Sequence, residues 1–410
     1  MLLRLQWMAF GLLFLCVQTN GQTTSADSLA KKAPAAAVKP ATSSKWYDKL
    51  SLRGYAQFRY NRLLETNPDL RCEQCDRSIG SGQTFSFRRA RLIFSGDVHE
   101  RVFAYIQFDY SADASSTSKH FLQVRDAYFD LALDKKKEYR LRIGQSKVPF
   151  GFENLQSSSN RLPFDRADAL NSAAPNERDF GVFFMYAPQK KREFYKNFTS
   201  DALKSSGDYG IFAFGLYNGQ TTNRPEQNDD LHAVARLSYP FKIGKQVIEP
   251  GIQAYSGKFT LLSTTKGVKT NQDLTYTDRR VAATVVLYQQ PFGILAEYNI
   301  GESPTFDPQS DSIRVQKLNG GFITASYRTK LGKGFINPYA RYQVYDGAKK
   351  HEVDARKYDL NELEIGVEWL PLKNMEFTVA YVISNRKYWD YATDYAEKGN
   401  FLRIQVQANY

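Results

Sequence analysis

Nine arginines stand where an alternating strand would turn them all to one side. Arg53 and Arg59 share a face with Tyr55, Gln57 and Asn61, while Leu52, Ala56, Phe58 and Tyr60 take the other. Arg89 and Arg91 oppose Ala90, Leu92 and Phe94; Arg140 and Arg142 oppose Tyr139, Leu141 and Ile143. Arg236 opposes Ala235 and Leu237, Arg341 opposes Ala340 and Tyr342, and Arg403 opposes Leu402 and Ile404. Period two forces this segregation in extended chain. A guanidinium is always charged, is weakly hydrated and forks onto oxyanions. Stacked arginines facing water therefore make an anion path, provided no single site binds too tightly. The competing reading is internal neutralisation. Asp109, Asp126, Asp130, Glu297, Glu362, Glu364 and Glu368 fall on the same polar faces, so part of the charge must cancel.

A second group of charges lies in the longest irregular stretch, 148–178, which opens Val148–Glu153 as VPFGFE. Pro149 and Gly151 permit a sharp inward bend. The stretch carries Arg161, Arg166 and Arg178 against Glu153, Asp165, Asp168 and Glu177, three positive against four negative, and is not itself basic. Folded inward, it would form a constriction with a basic wall facing acidic loop groups. Lys147 precedes it directly.

Cys72 and Cys75 form a C-x-x-C in an earlier irregular stretch. A disulfide fits an exported chain. Half a zinc site would need two further ligands, and the nearest histidine, His99, is predicted on the opposite side of the membrane; a redox pair lacks a βαβ context. The four histidines (His99, His120, His232, His351) have no recognisable acid and nucleophile partners, and no glycine-rich loop precedes a helix. The sequence thus points to no enzyme, cofactor, metal or nucleic-acid site.

The elements that must position these arginines are strands. From about residue 50 the chain alternates apolar and polar residues and breaks repeatedly at turn residues, giving sixteen predicted strands: 50–61, 84–96, 102–111, 122–132, 138–147, 179–187, 208–217, 231–240, 247–258, 278–288, 292–301, 318–328, 334–345, 360–370, 373–384 and 400–410. The connections alternate long (62–83, 112–121, 148–178, 218–230, 259–277, 302–317, 346–359, 385–399) and short (97–101, 134–137, 289–291, 329–333, 371–372). The connection 188–207 breaks the rule mildly. Short periplasmic turns and long outer loops produce this rhythm in a transmembrane antiparallel β-barrel. A soluble sandwich has no reason to segregate loop length by parity. The last strand ends on an aromatic, Tyr410, and pairing it with the first would remove both sheet edges, as lipid demands.

Composition agrees. Hydrophobic residues make up 42% of the 410, yet the mean hydropathy is −0.50, and after the first twenty residues no run approaches the ~18 apolar residues of a spanning helix. Aromatics reach 14%, with 28 Phe and 26 Tyr. Residues 1–21 read as a cleaved signal peptide: Arg4, an apolar core Trp7–Val17, and small Thr19 and Gly21 before the cut. Leu15 before Cys16 is too bulky for the usual lipidation signal. Losing Arg4 takes the formal charge from +12 to +11, still clearly basic. Residues 22–49, rich in Ala, Pro, Ser, Thr and Lys, read as a flexible periplasmic extension. Residues 50–410 form the predicted barrel.

Several ordered segments resemble one family. FRRARL (Phe87–Leu92), DAYFDL (Asp126–Leu131), GQSKVPFGFE (Gly144–Glu153), RDFGV (Arg178–Val182) and GLYNG (Gly215–Gly219) resemble the phosphate-selective porins O and P, and ARLSYPF (Ala235–Phe241) and RIQVQANY (Arg403–Tyr410) extend the match over about 50–410. The ordered set carries the resemblance more than any one motif. It implies a sixteen-stranded homotrimeric porin of the bacterial outer membrane, surrounded by outer-membrane lipid. Small inorganic anions, phosphate or polyphosphate foremost, would pass through an arginine ladder. Some relatives add a lysine cluster above the constriction. This chain has no dense lysine cluster in 62–83, 148–178 or 259–277, and Lys147 is the nearest candidate. Residue by residue, the expected anion path is Arg53, Arg59, Arg89, Arg91, Arg140, Arg142, Lys147, Arg236 and Arg341, with Arg161, Arg166 and Arg178 in the constriction.

Overall fold

The computed structural model describes residues 46–64, 83–112, 120–174, 177–201, 203–390 and 393–410. Cys72, Cys75, the leader and residues 22–45 of the tether lie outside the described residues. A short 3₁₀ turn, Trp46–Lys49, leads into sixteen antiparallel strands that close on themselves. In chain order these are β1 (Leu50–Leu63), β2 (Gln83–His99), β3 (Val102–Ala112), β4 (His120–Ala132), β5 (Tyr139–Lys147), β6 (Arg178–Tyr186), β7 (Phe212–Tyr217) and β8 (His232–Ser238, continued as Phe241–Ile243). They continue as β9 (Gln246–Thr260), β10 (Thr275–Leu287), β11 (Phe292–Asp307), β12 (Ser312–Tyr327, continued as Thr329–Leu331), β13 (Gly334–Ala348), β14 (Lys357–Leu372), β15 (Met375–Asp390) and β16 (Thr393–Asn409).

Each strand pairs with its sequence neighbours, and β1 closes on β16 with Ala56 opposite Ala408 and Tyr60 opposite Ile404. The Gly54 amide donates to the Tyr410 carbonyl at 2.6 Å and the Tyr410 amide returns the bond at 3.0 Å. A Cβ on Gly54 would collide with the Arg91 carbonyl and the Tyr410 ring, so glycine is what seats the C-terminal aromatic on the seam.

The apolar faces point outward. Leu52 is 62% exposed and Phe58 41%, whereas Arg59 beside them is 1% exposed. A soluble sandwich would show the reverse; a barrel in lipid must show this.

Strand limits correct the sequence reading in two places. The expected loops 302–317 and 385–399 are mostly strand: β11 and β12 leave only 308–311 between them, and β15 and β16 run on through Asp390 and from Thr393. An apolar band about 25 Å tall is crossed well before such strands end. There the apolar–polar alternation stops: Ser303–Phe306 of β11 are all buried, and Ser384, Asn385 and Arg386 of β15 put polar residues on both faces, so the strand becomes invisible to a pattern search. The connection 188–207 is corrected too. It is built around the helix α3 (Gln189–Ser200), and β7 starts at Phe212 rather than 208.

The lumen and its constriction

The stretch after β5 folds into the barrel as expected. It contains two one-turn helices, α1 (Phe152–Leu155) and α2 (Asp168–Asn171), and a 3₁₀ turn at Ser158–Asn160. Its anchors lie all around the wall. Gln57 of β1 donates to the Ser158 carbonyl at 3.0 Å. Gln253 of β9 accepts from the Gly151 amide at 3.2 Å, and Gln343 of β13 from the Asp168 amide at 3.1 Å. Glu297 of β11 accepts the Phe152 and Glu153 amides, both at 2.6 Å, and so caps the orphan donors of α1. Loop carboxylates complete the attachment. Glu153 accepts from the Ala167 amide at 2.8 Å and pairs with Arg341 at 3.3 Å. Asp165 is gripped by Arg403 at 2.5 Å and Arg59 at 3.4 Å, and Asp168 by Lys349 at 3.1 Å. The expected eyelet of acidic loop groups facing a basic wall is thereby corrected: these acids are tied to wall cations and hold the loop in place.

The expected path residues divide by partner. Arg59, Arg89, Arg91, Arg140, Arg142, Lys147, Arg236 and Arg341 are all buried from outer solvent on the inner face. Arg53 shares the parity of Tyr55 and Gln57 but lies at the short-turn end and is exposed. Arg142 forks onto Asp130 at 2.7 and 2.9 Å. Arg140 meets Asp208 at 2.7 Å, and Arg236 meets Glu249 at 3.3 Å. Arg91 pairs with Asp109 at 3.0 Å, and Arg341 bonds Glu364 at 3.2 Å as well as Glu153. Lys147 donates to the Leu155 and Gln156 carbonyls at 2.8 and 2.6 Å, pinning the loop. Within the loop, Arg166 pairs with Glu177, and Arg161 donates, among the described residues, only to the Phe164 carbonyl at 3.4 Å. Arg178 is corrected from loop to wall: it is the first residue of β6, held by Asp126 at 2.9 Å and Glu177 at 2.6 Å. Burial alone would raise the Glu177 carboxyl, but Arg166, Arg178 and Arg125 around it hold it well below the usual carboxylate range.

Two arginines escaped the sequence reading for a single physical reason. Gln57 lies opposite Arg89 while Phe58 lies opposite Phe87, which leaves Arg88 in a β-bulge. Gln107 lies opposite Asp126 while Phe108 lies opposite Val124, which leaves Arg125 in another. A bulge reverses parity along its strand. Both extra residues reach the lumen: Arg88 lies 3.5 Å from Asp165, and Arg125 lies 3.3 Å from Glu177. Lys349 and Lys350 were missed because they sit in a loop outside those searched for lysines; they turn inward onto Asp168 and Asp278, beside Arg386 on Asp168 and Glu362 and beside Arg280, which donates to the Ser172 hydroxyl. The visible signal was the Lys–Lys doublet ending β13.

The lumen is thus electrically divided. On β1 to β6 and β16, Arg59, Arg88, Arg89, Arg91, Arg125, Arg140, Arg142, Lys147, Arg178 and Arg403, together with Arg161 and Arg166 of the loop, outnumber Asp109, Asp126, Asp130 and Asp179 of the strands and Glu153, Asp165, Asp168 and Glu177 of the loop. Among the described residues, Arg89 and Arg161 have no carboxylate within ion-pair distance. The facing wall, β9 to β15, presents Glu249, Glu297, Glu364 and Glu368, each engaged by neighbours. His232, read as a lone histidine near a strand end, is buried against Tyr255 with Nε2 3.1 Å from the Lys258 carbonyl, a packing role.

A closed sixteen-stranded barrel, apolar outside, with a loop folded into a charged lumen, is the architecture of an outer-membrane porin. The sequence profile of the phosphate-selective porins O and P matches residues 67–410, and the chain belongs to that family. No curated protein matches it by sequence. Among solved structures it is similar to the outer membrane channel DcaP of Acinetobacter baumannii (15% identity, TM-score 0.54, 88% of this chain and 97% of that one). It is also similar to Salmonella typhi OmpF in complex with daunomycin (12%, 0.53, 88% and 97%) and to the trimer form of Vibrio cholerae OmpT (11%, 0.51, 88% and 99%). At these identities the likeness is one of fold.

Proposed function

We propose that this porin passes small anions passively, phosphate or polyphosphate foremost, and that it works as a homotrimer in the bacterial outer membrane after loss of a signal peptide ending at Gly21. The observation that carries the reading is the surplus of cations on β1 to β6 and β16 beside the constriction loop, with Arg89 and Arg161 lacking, among the described residues, a carboxylate within ion-pair distance. In a narrow, poorly screened lumen such a surplus raises the local concentration of anions. The family name points to phosphate, and the trimer form of OmpT supports the assembly. A weakly selective diffusion porin is the second reading, supported by the close pairing of Arg142 with Asp130 and of Arg236 with Glu249.

The test is the zero-current reversal potential of purified protein in a planar bilayer under a KCl gradient, followed by phosphate titration. Chloride preference with current block by phosphate is expected. Cation preference overturns the anion reading, and absence of selectivity leaves the diffusion porin.

A further inference from the structure

Adjacent strands of a barrel need only a tight periplasmic turn, and β6 and β7 are adjacent, yet 187–211 lies between them. A connection longer than geometry requires has a task. This one does not hang into the periplasm. Asp208 is fixed beneath its own strands by Arg140 at 2.7 Å and Arg192 at 2.8 Å. Lys191 donates to the Pro240 carbonyl at 2.6 Å. From there α3 runs inward. Phe198 packs on Tyr288 at the end of β10, with ring centroids 4.5 Å apart, and the Asp201 carbonyl accepts from Arg328 at 2.8 Å. Lys204 then reaches Glu368 of β14 at 2.6 Å. In a barrel of sixteen strands, β14 is diametrically opposite β6. The segment therefore spans the lumen from wall to wall.

It also lies directly against the constriction loop. Gln156 donates to the Lys204 carbonyl at 2.6 Å, and Asn160 to the Ser205 carbonyl at 3.0 Å. Tyr195, Phe198 and Leu203 share one apolar cluster with Phe152 of the loop and with Val247, Val286 and Tyr288 of the wall. A buried apolar cluster admits no ions, so solute must pass beside it. Glu368 is 1% exposed and is also bonded by Asn337 at 2.6 Å, so the carboxylate that receives Lys204 is itself rigidly placed.

We infer that the segment 187–211 is a second filter, in series with the constriction loop, and that the Lys204–Glu368 contact latches it across the periplasmic mouth. This goes beyond anion selectivity: the arginine wall sets the sign of the ion admitted, and the crossbar sets how much current leaves.

The experiment uses the full-length protein in planar bilayers, reading single-channel conductance and reversal potential separately. K204E should raise conductance at least two-fold with the reversal potential keeping its sign, and E368K should do the same. The combined K204E/E368K variant, which restores the pair in reverse, should return conductance to the wild-type value. A shortened protein with Pro188–Gly207 replaced by Asn-Gly should be at least as open as K204E. If it fails to fold, the single and paired exchanges decide alone. Unchanged conductance in K204E and E368K overturns the filter, as does failure of the paired exchange to restore it. Loss of anion preference in the wild type, with the conductance effects intact, would sink the anion reading and leave the filter standing.

Discussion

The two halves of the lumen wall use the same kind of strand for different ends. On β9 to β15 every inward carboxylate named above has fixed neighbours: Glu297 takes two loop amides, Glu249 takes Ser238 and Tyr288 at 2.6 Å each, and Glu364 takes Tyr339 at 2.7 Å. On β1 to β6 and β16 the cations exceed their acids, and Arg89 lies between Arg88 and Arg91 with no acid of its own among the described residues. Both halves hold the constriction, the glutamate half through Gln253, Glu297 and Gln343 and the arginine half through Gln57, Arg59 and Arg403, but the cation surplus lies on the arginine half. Charge on an inner wall is not by itself a sign of transport; charge in surplus over its partners is.

The largest break in that contrast should come from R89E combined with R161E. Reversing charge at these two positions of the arginine side should shift the chloride-to-potassium permeability ratio by about ten-fold or more toward cations, since a few kcal/mol at close range in a lumen of reduced dielectric suffices. Reversal potentials measure it, and an unchanged ratio would refute the surplus argument. Next, E297A should free the Phe152 and Glu153 amides at a cost of about 2–3 kcal/mol. The expected result is looser attachment of 148–177, read as faster proteolysis of that loop and a lower unfolding midpoint. R236Q should do least to selectivity, with a reversal potential close to that of the wild type, because Glu249 keeps Ser238 and Tyr288. Finally, Glu177 should contribute no step to the reversal potential between pH 8 and pH 5. Glu177 is held below the usual carboxylate range, so its ion pairs persist above that range and are lost only as pH falls through the lowered value. A step in reversal potential near the ordinary carboxylate pKa that is present in the wild type and absent in E177Q would show that Glu177 is not so held.

Most of the barrel was legible because the membrane enforces period two. Strand number, closure and the inward set Arg59, Arg89, Arg91, Arg140, Arg142, Arg236 and Arg341 follow from alternation alone. Three things were not. Arg88 and Arg125 stand at bulges, where one extra residue turns a nominally outward position inward. The strand ends around Glu302–Asp307 and Asn385–Asp390 lie where apolar and polar residues no longer alternate. The partners of the arginines depend on contacts between residues far apart in sequence, such as Asp165 with Arg403, and no local pattern encodes those.

The position of Asp165 bears on the order in which the molecule is made. Arg59 and Arg403 belong to the first and last strands, which meet only when the cylinder shuts, and a single loop carboxylate holds both. Residues between β5 and β6 thus offer a fixed point to two strands that have no contact until the end of assembly. The loop acts as a jig for the closing seam, and it must already be inside when the seam meets. On this hypothesis D165N should accumulate open, heat-labile barrels during refolding, seen by gel mobility before boiling, while leaving each hairpin intact; wild-type closure kinetics in that variant would rule it out.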